Sequence, residues 1–172
     1  MATHINLNGR RVSAADPCYI IAEIGVNHNG DANLAHKMID AAHAAGADAV
    51  KFQTFKASNH YSKKTPKISM YKENIYDLIE SLEIDRSWHP KLSKLCSDLG
   101  LDFMDSPCDF EAIELANSVD MDILKVASFD MVDINLVRKI AQTGRGVMLS
   151  TGMANLAEIL YEEGDVEKAI EE

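Results

Sequence analysis

Short apolar runs alternate with amphipathic stretches along most of the chain. The runs have the length of buried strands, and the stretches between them repeat apolar residues at helical spacing. Strands that alternate with helices predict a parallel sheet. Strands are predicted at about 19–25, 48–54, 101–105, 122–127 and 146–150. Helices are predicted at about 72–83, 88–99, 109–118 and 133–143. A further helix is predicted to begin after an N-cap at Asp31 or Asn33 and to end at Gly46.

The segments around these units have patterns of their own. Asn8-Gly9 between two strand-like segments predicts a hairpin, which could close one end of a barrel. The polar, lysine-rich segment 55–71 is longer than a plain strand-to-helix turn and is a candidate functional loop. A last helix is predicted to follow Thr151 toward the C-terminus. No linker is evident, so 1–172 is predicted to be one domain.

Polar residues follow every predicted strand, which favours a barrel over a doubly wound sheet. A TIM barrel builds its site from the ends of many strands, whereas a doubly wound sheet binds its ligand at one switch point. No Gly-x-Gly-x-x-Gly follows the first strand. A complete (β/α)8 barrel needs about 250 residues, so we expect an incomplete portion with a hairpin and about five βα units. The polar residues are Asn27, His28, Gln53, Thr54, Asp105, Ser106, Ser128, Asp130, Ser150 and Thr151.

Composition narrows the class of protein. The 172 residues are 47% hydrophobic, and no apolar stretch is long enough to span a membrane. The N-terminus lacks the pattern of a signal peptide. A net charge of −10 argues against nucleic-acid binding, and the acidic stretch 153–172 is interpreted as a solvated helix face. Three cysteines without metal-type spacing predict reduced thiols and a cytoplasmic location.

Three ionisable residues interrupt the apolar strands: Glu23, Lys51 and Lys125. A lone charge in a buried strand costs several kcal/mol unless it is paired or solvated in a cleft. Each is followed within a few positions by polar residues, so the three strand ends are predicted to converge on one polar site. Two lysines in one pocket suggest an anionic ligand that carries a phosphate or a carboxylate.

Five segments in register resemble the sialic acid synthase family, which comprises N-acetylneuraminate synthase and the related legionaminic and pseudaminic acid synthases. The resemblance runs from about residue 5 to the end of the chain. Each segment alone is weakly specific, whereas five in the right order and spacing are strong. The segments are IIAEIGVNHNG at 20–30, AGADAVKFQT at 45–54, FMDSP at 103–107, LKVASFD at 124–130 and LSTGM at 149–153.

The resemblance implies a (β/α)8 barrel that condenses phosphoenolpyruvate with an open-chain N-acetylated amino sugar, either N-acetylmannosamine or a related 6-deoxy sugar. The products are a nine-carbon 2-keto sugar acid and phosphate. It further implies a divalent metal, Mn²⁺ or Mg²⁺, and a homodimer with a C-terminal antifreeze-like domain. The metal-binding histidines, the last strands and that domain would lie beyond Glu172. None of the histidines in this chain forms a ligand cluster in the sequence pattern.

The resemblance also assigns roles to individual residues. Phosphoenolpyruvate would be bound by Lys51 and Lys125, with hydroxyl groups from Ser106, Ser128 and Ser150. Alternatively, these serines and Thr151 merely cap the helices that follow.

The amino sugar would be bound by Glu23, Gln53 and Asp130. Recognition and proton transfer are equally open for Glu23, which could also be a structural carboxylate paired with a lysine. Asp130 stands where the family commonly has a glutamate. His28 is interpreted as structural or as a support for the site.

Two other functions fit the sequence. A Schiff-base aldolase on the same fold would use Lys51 or Lys125 as its nucleophile. A non-catalytic half-barrel would act by associating with a partner, because an open sheet leaves an unpaired edge.

Overall fold

A β-hairpin precedes a parallel sheet in the computed structural model, which describes residues 4–66, 74–119, 121 and 123–152. Strand β1 (His4–Leu7) pairs antiparallel with β2 (Arg10–Ser13). Asn8 and Gly9 connect the two strands, and both have a positive φ. This is the conformation that a two-residue hairpin turn requires, so the predicted hairpin is confirmed.

The sheet contains five parallel strands in sequential order, β3 to β7. Within the described residues, each strand from β4 onward pairs with the one that precedes it in the chain. All five predicted strands are confirmed, with bounds that differ by at most two residues. The strands are β3 (Ile21–Gly25), β4 (Ala49–Thr54), β5 (Asp102–Pro107), β6 (Ile123–Val126) and β7 (Gly146–Leu149).

Helices connect the strands at nearly the predicted positions. Asp31 is the N-cap of the first helix, because its carboxylate accepts hydrogen bonds from the backbone N–H groups of Asn33 and Leu34. The candidate loop contains a short helix that the sequence did not predict. The helices are α1 (Ala32–Ala44), α2 (Ala57–His60), α3 (Ile75–Ser81), α4 (His89–Leu99), α5 (Phe110–Ser118) and α6 (Ile134–Ala141), with 3₁₀ turns at Arg86–Trp88 and Ser128–Asp130.

One face of the sheet packs against the helices. Val50 and Phe52 of β4 belong to the main hydrophobic core together with Ile39 of α1 and Leu92 of α4. Residues of α5 and α6 join the same core. Helices on one face are the arrangement of a barrel wall, whereas a doubly wound sheet carries helices on both faces. The predicted portion of a (β/α)8 barrel is therefore confirmed.

The opposite face is apolar only near the N-terminal ends of the strands. Ala49, Met104 and Ile123 form a small buried cluster there, and Leu7 of the hairpin and Tyr19 pack against it. The Tyr19 hydroxyl group also donates a hydrogen bond to the Asp102 carboxylate. Apolar packing thus closes this end of the inner face, and the polar positions of the strands lie toward the C-terminal ends.

Two predicted features lie outside the described residues. These are the helix that would follow Thr151 and the acidic stretch 153–172. Residues 67–71 of the candidate loop and the first two residues of the predicted helix 72–83 also lie outside them. None of the helices within the described ranges is long and apolar enough to cross a membrane.

Candidate functional site

Lys51 lies at the centre of the polar end of the inner face. Its ammonium group is 2.5 Å from a carboxylate oxygen of Glu23 on the neighbouring strand. It also donates a hydrogen bond of 3.2 Å to the hydroxyl oxygen of Ser106 on β5. Lys51 is buried, whereas about half of the Glu23 side chain is exposed. Three adjacent strands therefore contribute one side chain each to a charged cluster that opens to solvent.

Lys125 extends this cluster along the sheet. Its ammonium group donates hydrogen bonds of 2.6 Å to the hydroxyl oxygen of Ser150 and 2.8 Å to the backbone carbonyl oxygen of Val126. Burial and then the charge of Lys51 lower the pKa of Lys125 from its ordinary value. The two ammonium groups are thus close enough to repel each other, and an anion between them would relieve that repulsion.

Gly25 separates the side chains of Glu23 and Gln53. It ends β3 with a φ of +54°, beside a register shift between β3 and β4. A Cβ atom at this position would lie 3.1 Å from a carboxylate oxygen of Glu23 and 3.6 Å from the amide oxygen of Gln53. The positive φ favours glycine, and a Cβ atom would force the Glu23 carboxylate to shift by a few tenths of an ångström. Gly25 is therefore a part of the site that the sequence analysis did not single out.

Ser128 and Asp130 lie on the 3₁₀ turn that follows β6. The hydroxyl oxygen of Ser128 is 3.7 Å from the point where a Cβ atom of Gly152 would stand. Asp130 is buried, and burial raises the pKa of its carboxyl group, although a hydrogen bond from the Cys108 thiol opposes the rise. The charge of Lys125 also acts on Asp130, which lies beside the lysine cluster. Among the hydrogen bonds and ion pairs of the described residues, Asp130 makes no direct contact with either lysine.

Thr54 and Asp105 do not face this cluster, which corrects the expectation that all strand-end polar residues converge. Thr54 Oγ1 lies 2.8 Å from His89 Nε2, and an Asp105 carboxylate oxygen lies 3.4 Å from the same nitrogen. All three side chains are buried between the sheet and α4. Side chains alternate along a strand, so Gln53 and Ser106 point inward whereas their neighbours Thr54 and Asp105 point outward. This alternation is the signal that would have separated the two groups.

His28 also lies on the outer side, away from the lysines. It is fully buried, its ring contacts Phe52 and Trp88, and its Nδ1 accepts a hydrogen bond of 3.1 Å from the backbone N–H of Gly30. Burial and the nearby His89 lower the pKa of His28. Asn27 and Thr151 are exposed.

The described residues do not supply a metal centre. Within residues 4–66, 74–119, 121 and 123–152, no three His, Cys, Asp or Glu side chains lie close enough to hold a metal ion. The residues at the lysine cluster are two ammonium groups, hydroxyl groups and one paired carboxylate, a set that fits an anion better than a cation.

The chain is similar in sequence to a known protein family and to several of its members. Residues 38–163 match the NeuB family. The N,N'-diacetyllegionaminic acid synthase of Campylobacter jejuni is 42% identical over 146 residues, which are 81% of this chain and 44% of that protein. The pseudaminic acid synthase of Helicobacter pylori is 38% identical over 149 residues, which are 83% of this chain and 44% of that protein. The matched part of the chain thus covers less than half the length of these relatives.

The fold of the chain is also similar to that of a solved structure. The N-acetylneuraminic acid synthetase of Leptospira borgpetersenii superposes with a TM-score of 0.81 at 29% sequence identity. The match covers 97% of this chain and 56% of that one.

Proposed function

The chain belongs to the NeuB family, and from that premise we propose that its lysine cluster binds phosphoenolpyruvate. The whole protein would condense phosphoenolpyruvate with an N-acetylated amino sugar, N-acetylmannosamine or a related 6-deoxy sugar. A carbon–carbon bond would form between the methylene carbon of phosphoenolpyruvate and the aldehyde carbon of the sugar. Water would be consumed, and a nine-carbon 2-keto sugar acid and phosphate would be released.

The pairing of two lysines with two serines, on β4, β5 and β6 and directly after β7, carries this proposal. Phosphoenolpyruvate has a carboxylate and a phosphate, so it needs more than one cationic partner. Lys51 with Ser106 and Lys125 with Ser150 provide two ammonium groups and two hydroxyl donors on one face. Charge-assisted hydrogen bonds of this kind are about twice as strong as neutral ones. Ser128 is assigned to the same ligand.

Glu23, Gln53 and Asp130 are assigned to the sugar. Glu23 lies next to Lys51, and Gln53 lies on the other side of Gly25, so a sugar bound there would adjoin the phosphoenolpyruvate. Glu23 would either accept hydrogen bonds from sugar hydroxyl groups or move a proton during the condensation, and both roles stay open. An incoming anion competes with the Glu23 carboxylate for Lys51.

A divalent metal, Mn²⁺ or Mg²⁺, belongs to the proposal for the whole protein. It would polarise the aldehyde oxygen of the sugar. The described residues offer no ligand cluster for it.

Calorimetric titration of the chain with phosphoenolpyruvate tests the proposal. We expect Lys51→Ala and Lys125→Ala each to weaken binding by about tenfold or more, since each removes a charge-assisted hydrogen bond. Lys94→Ala is the matched control, because Lys94 is exposed and pairs with Asp98 in the next helical turn, away from the lysine cluster. Binding that survives both site variants unchanged would contradict the proposal.

A Schiff-base aldolase is the second candidate, and the lowered pKa of Lys125 favours it. An imine-forming lysine must be uncharged to attack a carbonyl group, and burial and Lys51 move Lys125 in that direction. Borohydride trapping with pyruvate separates the two functions. A covalent adduct at Lys125 would support the aldolase, and its absence together with lysine-dependent binding of phosphoenolpyruvate would support the condensation.

A further inference from the structure

An apolar pocket adjoins the lysine cluster at the C-terminal end of the sheet. Its volume is about 320 Å³, which is within the size range of small-molecule sites. Gln53 forms part of its wall and so connects it with Gly25 and Glu23. Its apolar wall is formed mainly by Val26, Phe55, Tyr61, Ile79, Leu82 and Phe129.

The pocket carries few polar groups for a site beside two lysines. None of the described residues that line it is a lysine, arginine, aspartate or glutamate. Among the described lining side chains, Gln53, His60 and the Tyr61 hydroxyl group carry the nitrogen and oxygen atoms, and the buried Cys108 adds a thiol. A hydroxyl group placed against the apolar wall would lose its hydrogen bonds to water without replacing them. The chemistry of the pocket therefore suits an uncharged, apolar part of a ligand.

Two aromatic side chains of the pocket are left open to solvent. Phe129 is 51% exposed and Tyr61 is 37% exposed. The Phe129 ring stands edge-on to the His60 ring, with centroids 6.5 Å apart. Single exposed apolar residues are common, but two aromatic rings that border an apolar pocket next to a polar cluster are typical of a surface that a ligand covers.

We propose that this pocket binds a methyl-bearing substituent of the acceptor sugar and that Phe129 is a specificity-determining residue. The substituent is either the methyl group of an acetamido group or the methyl carbon of a deoxy sugar. The inference rests on the proposed function, because Gln53 joins the pocket to the residues that are assigned to the sugar. When the polar groups of the sugar contact Glu23 and Gln53, the substituent next to those polar groups extends into the pocket.

Magnetic-resonance binding experiments on the full chain test this assignment with three probes. N-acetylmannosamine carries the acetamido methyl group, 6-deoxymannose carries the deoxy methyl group, and mannose carries neither. We expect saturation of the aromatic protons of the protein to transfer most strongly to the methyl protons. Whichever methyl sugar binds more tightly than mannose identifies the substituent, and a preference of about tenfold is the scale for one methyl group in an apolar pocket.

Variants distinguish the pocket from general binding. Phe129→Ala and Tyr61→Ala are expected to weaken the preferred methyl sugar by about tenfold and mannose by less than about twofold. Phe110→Ala is the matched control, because Phe110 is equally exposed at 51% and does not line the pocket. All three side chains are on the surface, so circular dichroism should show that each variant folds.

Three results would overturn the inference: mannose binding as tightly as both methyl sugars, Phe129→Ala leaving the preference intact, or no binding of any probe at millimolar concentration. Titration with phosphoenolpyruvate in the same samples reports on the proposed function separately. Lysine-dependent binding of phosphoenolpyruvate without a methyl preference would remove the pocket assignment alone. A methyl preference without lysine-dependent binding of phosphoenolpyruvate would remove the proposed function alone.

Discussion

Glu23 and Lys51 neutralise each other across two adjacent strands, and this pairing makes a buried ammonium group tolerable without a ligand. Lys51 is almost fully buried, whereas the Glu23 carboxylate is half exposed. Burial of an unpaired charge costs several kcal/mol, so the carboxylate stabilises the strand end. In the proposed function, an anion that approaches Lys51 competes with this carboxylate.

Replacement of Gly25 tests how closely Glu23 and Gln53 are positioned. Gly25→Ala would place a Cβ atom against the Glu23 carboxylate, and we expect it to weaken binding of N-acetylmannosamine about fivefold, the loss of about one hydrogen bond. Gly46→Ala is the control. Gly46 also has a positive φ, at +79°, but a Cβ atom there meets nothing within 4 Å.

Both variants should lose about 1–2 kcal/mol of stability through the left-handed backbone conformation. Urea denaturation measures that shared loss, and sugar titration measures the difference between the variants. Equal sugar affinities would show that Gly25 matters only for the backbone.

We expect phosphoenolpyruvate binding to weaken at alkaline pH because of the titration of Lys125. Its pKa lies below the ordinary 10.5, chiefly because of burial, so its positive charge is lost earlier than that of an exposed lysine as pH rises. Binding should weaken over that range, since the anion needs the cation. Lys125→Arg retains its charge, so its affinity should hold to higher pH. Dissociation constants measured from neutral to alkaline pH for both proteins provide the test, and parallel curves would contradict it.

Some residues of the site could be identified from the sequence, and others could not. Glu23, Lys51 and Lys125 could be found because a charge within an apolar strand is improbable without a partner. Gly25 could not be singled out, because its role depends on a register shift between β3 and β4 that no local pattern encodes.

At the scale of elements, a buried polar contact joins β4 and β5 to α4 behind the site. The Thr54 hydroxyl group and the His89 ring nitrogen are 2.8 Å apart, and both side chains are completely buried. An Asp105 carboxylate oxygen of β5 lies 3.4 Å from the same nitrogen. Gln53 and Ser106, the neighbours of Thr54 and Asp105 on the two strands, face the site. The contact therefore holds α4 against β4 directly behind two inward side chains that bind ligand in the proposal.

Thr54→Val should lower the free energy of unfolding by about 1–3 kcal/mol. The substitution keeps the shape of the side chain and leaves a buried His89 nitrogen without its hydrogen-bond partner. Thr65→Val serves as the control, because Thr65 is only partly buried and lies in the loop after α2. Urea denaturation measures both variants. A loss below about 0.5 kcal/mol would show that another group satisfies the nitrogen.

Elements were predictable to the extent that their determinants are local. The Asp31 cap, the strand alternation and the Asn8-Gly9 turn are all encoded within a few residues, and the structure confirms them. The short helix α2 was missed because its four residues, ASNH, carry no amphipathic repeat. The outward direction of Thr54 and Asp105 follows from the phase of each strand, which the sequence-based prediction did not apply.

For the whole molecule, the proposed ligand should be a source of stability. Phosphoenolpyruvate at about one hundred times its dissociation constant is expected to add about 2.7 kcal/mol to the free energy of unfolding, because it binds only the folded chain. Differential scanning calorimetry with and without the ligand measures this gain. Lys51→Ala, with about tenfold weaker binding, should gain only about 1.4 kcal/mol at the same concentration, and an undiminished gain in this variant would place the anion elsewhere.

The architecture of the whole chain was more predictable than its site. Five strands that all end in polar residues favour a barrel, and packing of the helices on one face confirms it. Which side chains touch depends on distances between strands that are far apart in sequence, as for Lys51 with Ser106. Such contacts emerge only when the sheet is assembled.

The sequential strand order has a consequence for synthesis on the ribosome. Every strand from β4 onward pairs with the strand made just before it, so no strand must wait for a later one to insert between itself and its predecessor. The strand of each newly synthesised βα unit therefore pairs with the edge strand that is already in place. It then becomes the edge strand with which the next unit pairs. Loops that close between consecutive units carry a modest entropy cost. The direction of translation and the direction of sheet growth are the same, which shortens the time during which any one edge is available to other nascent chains.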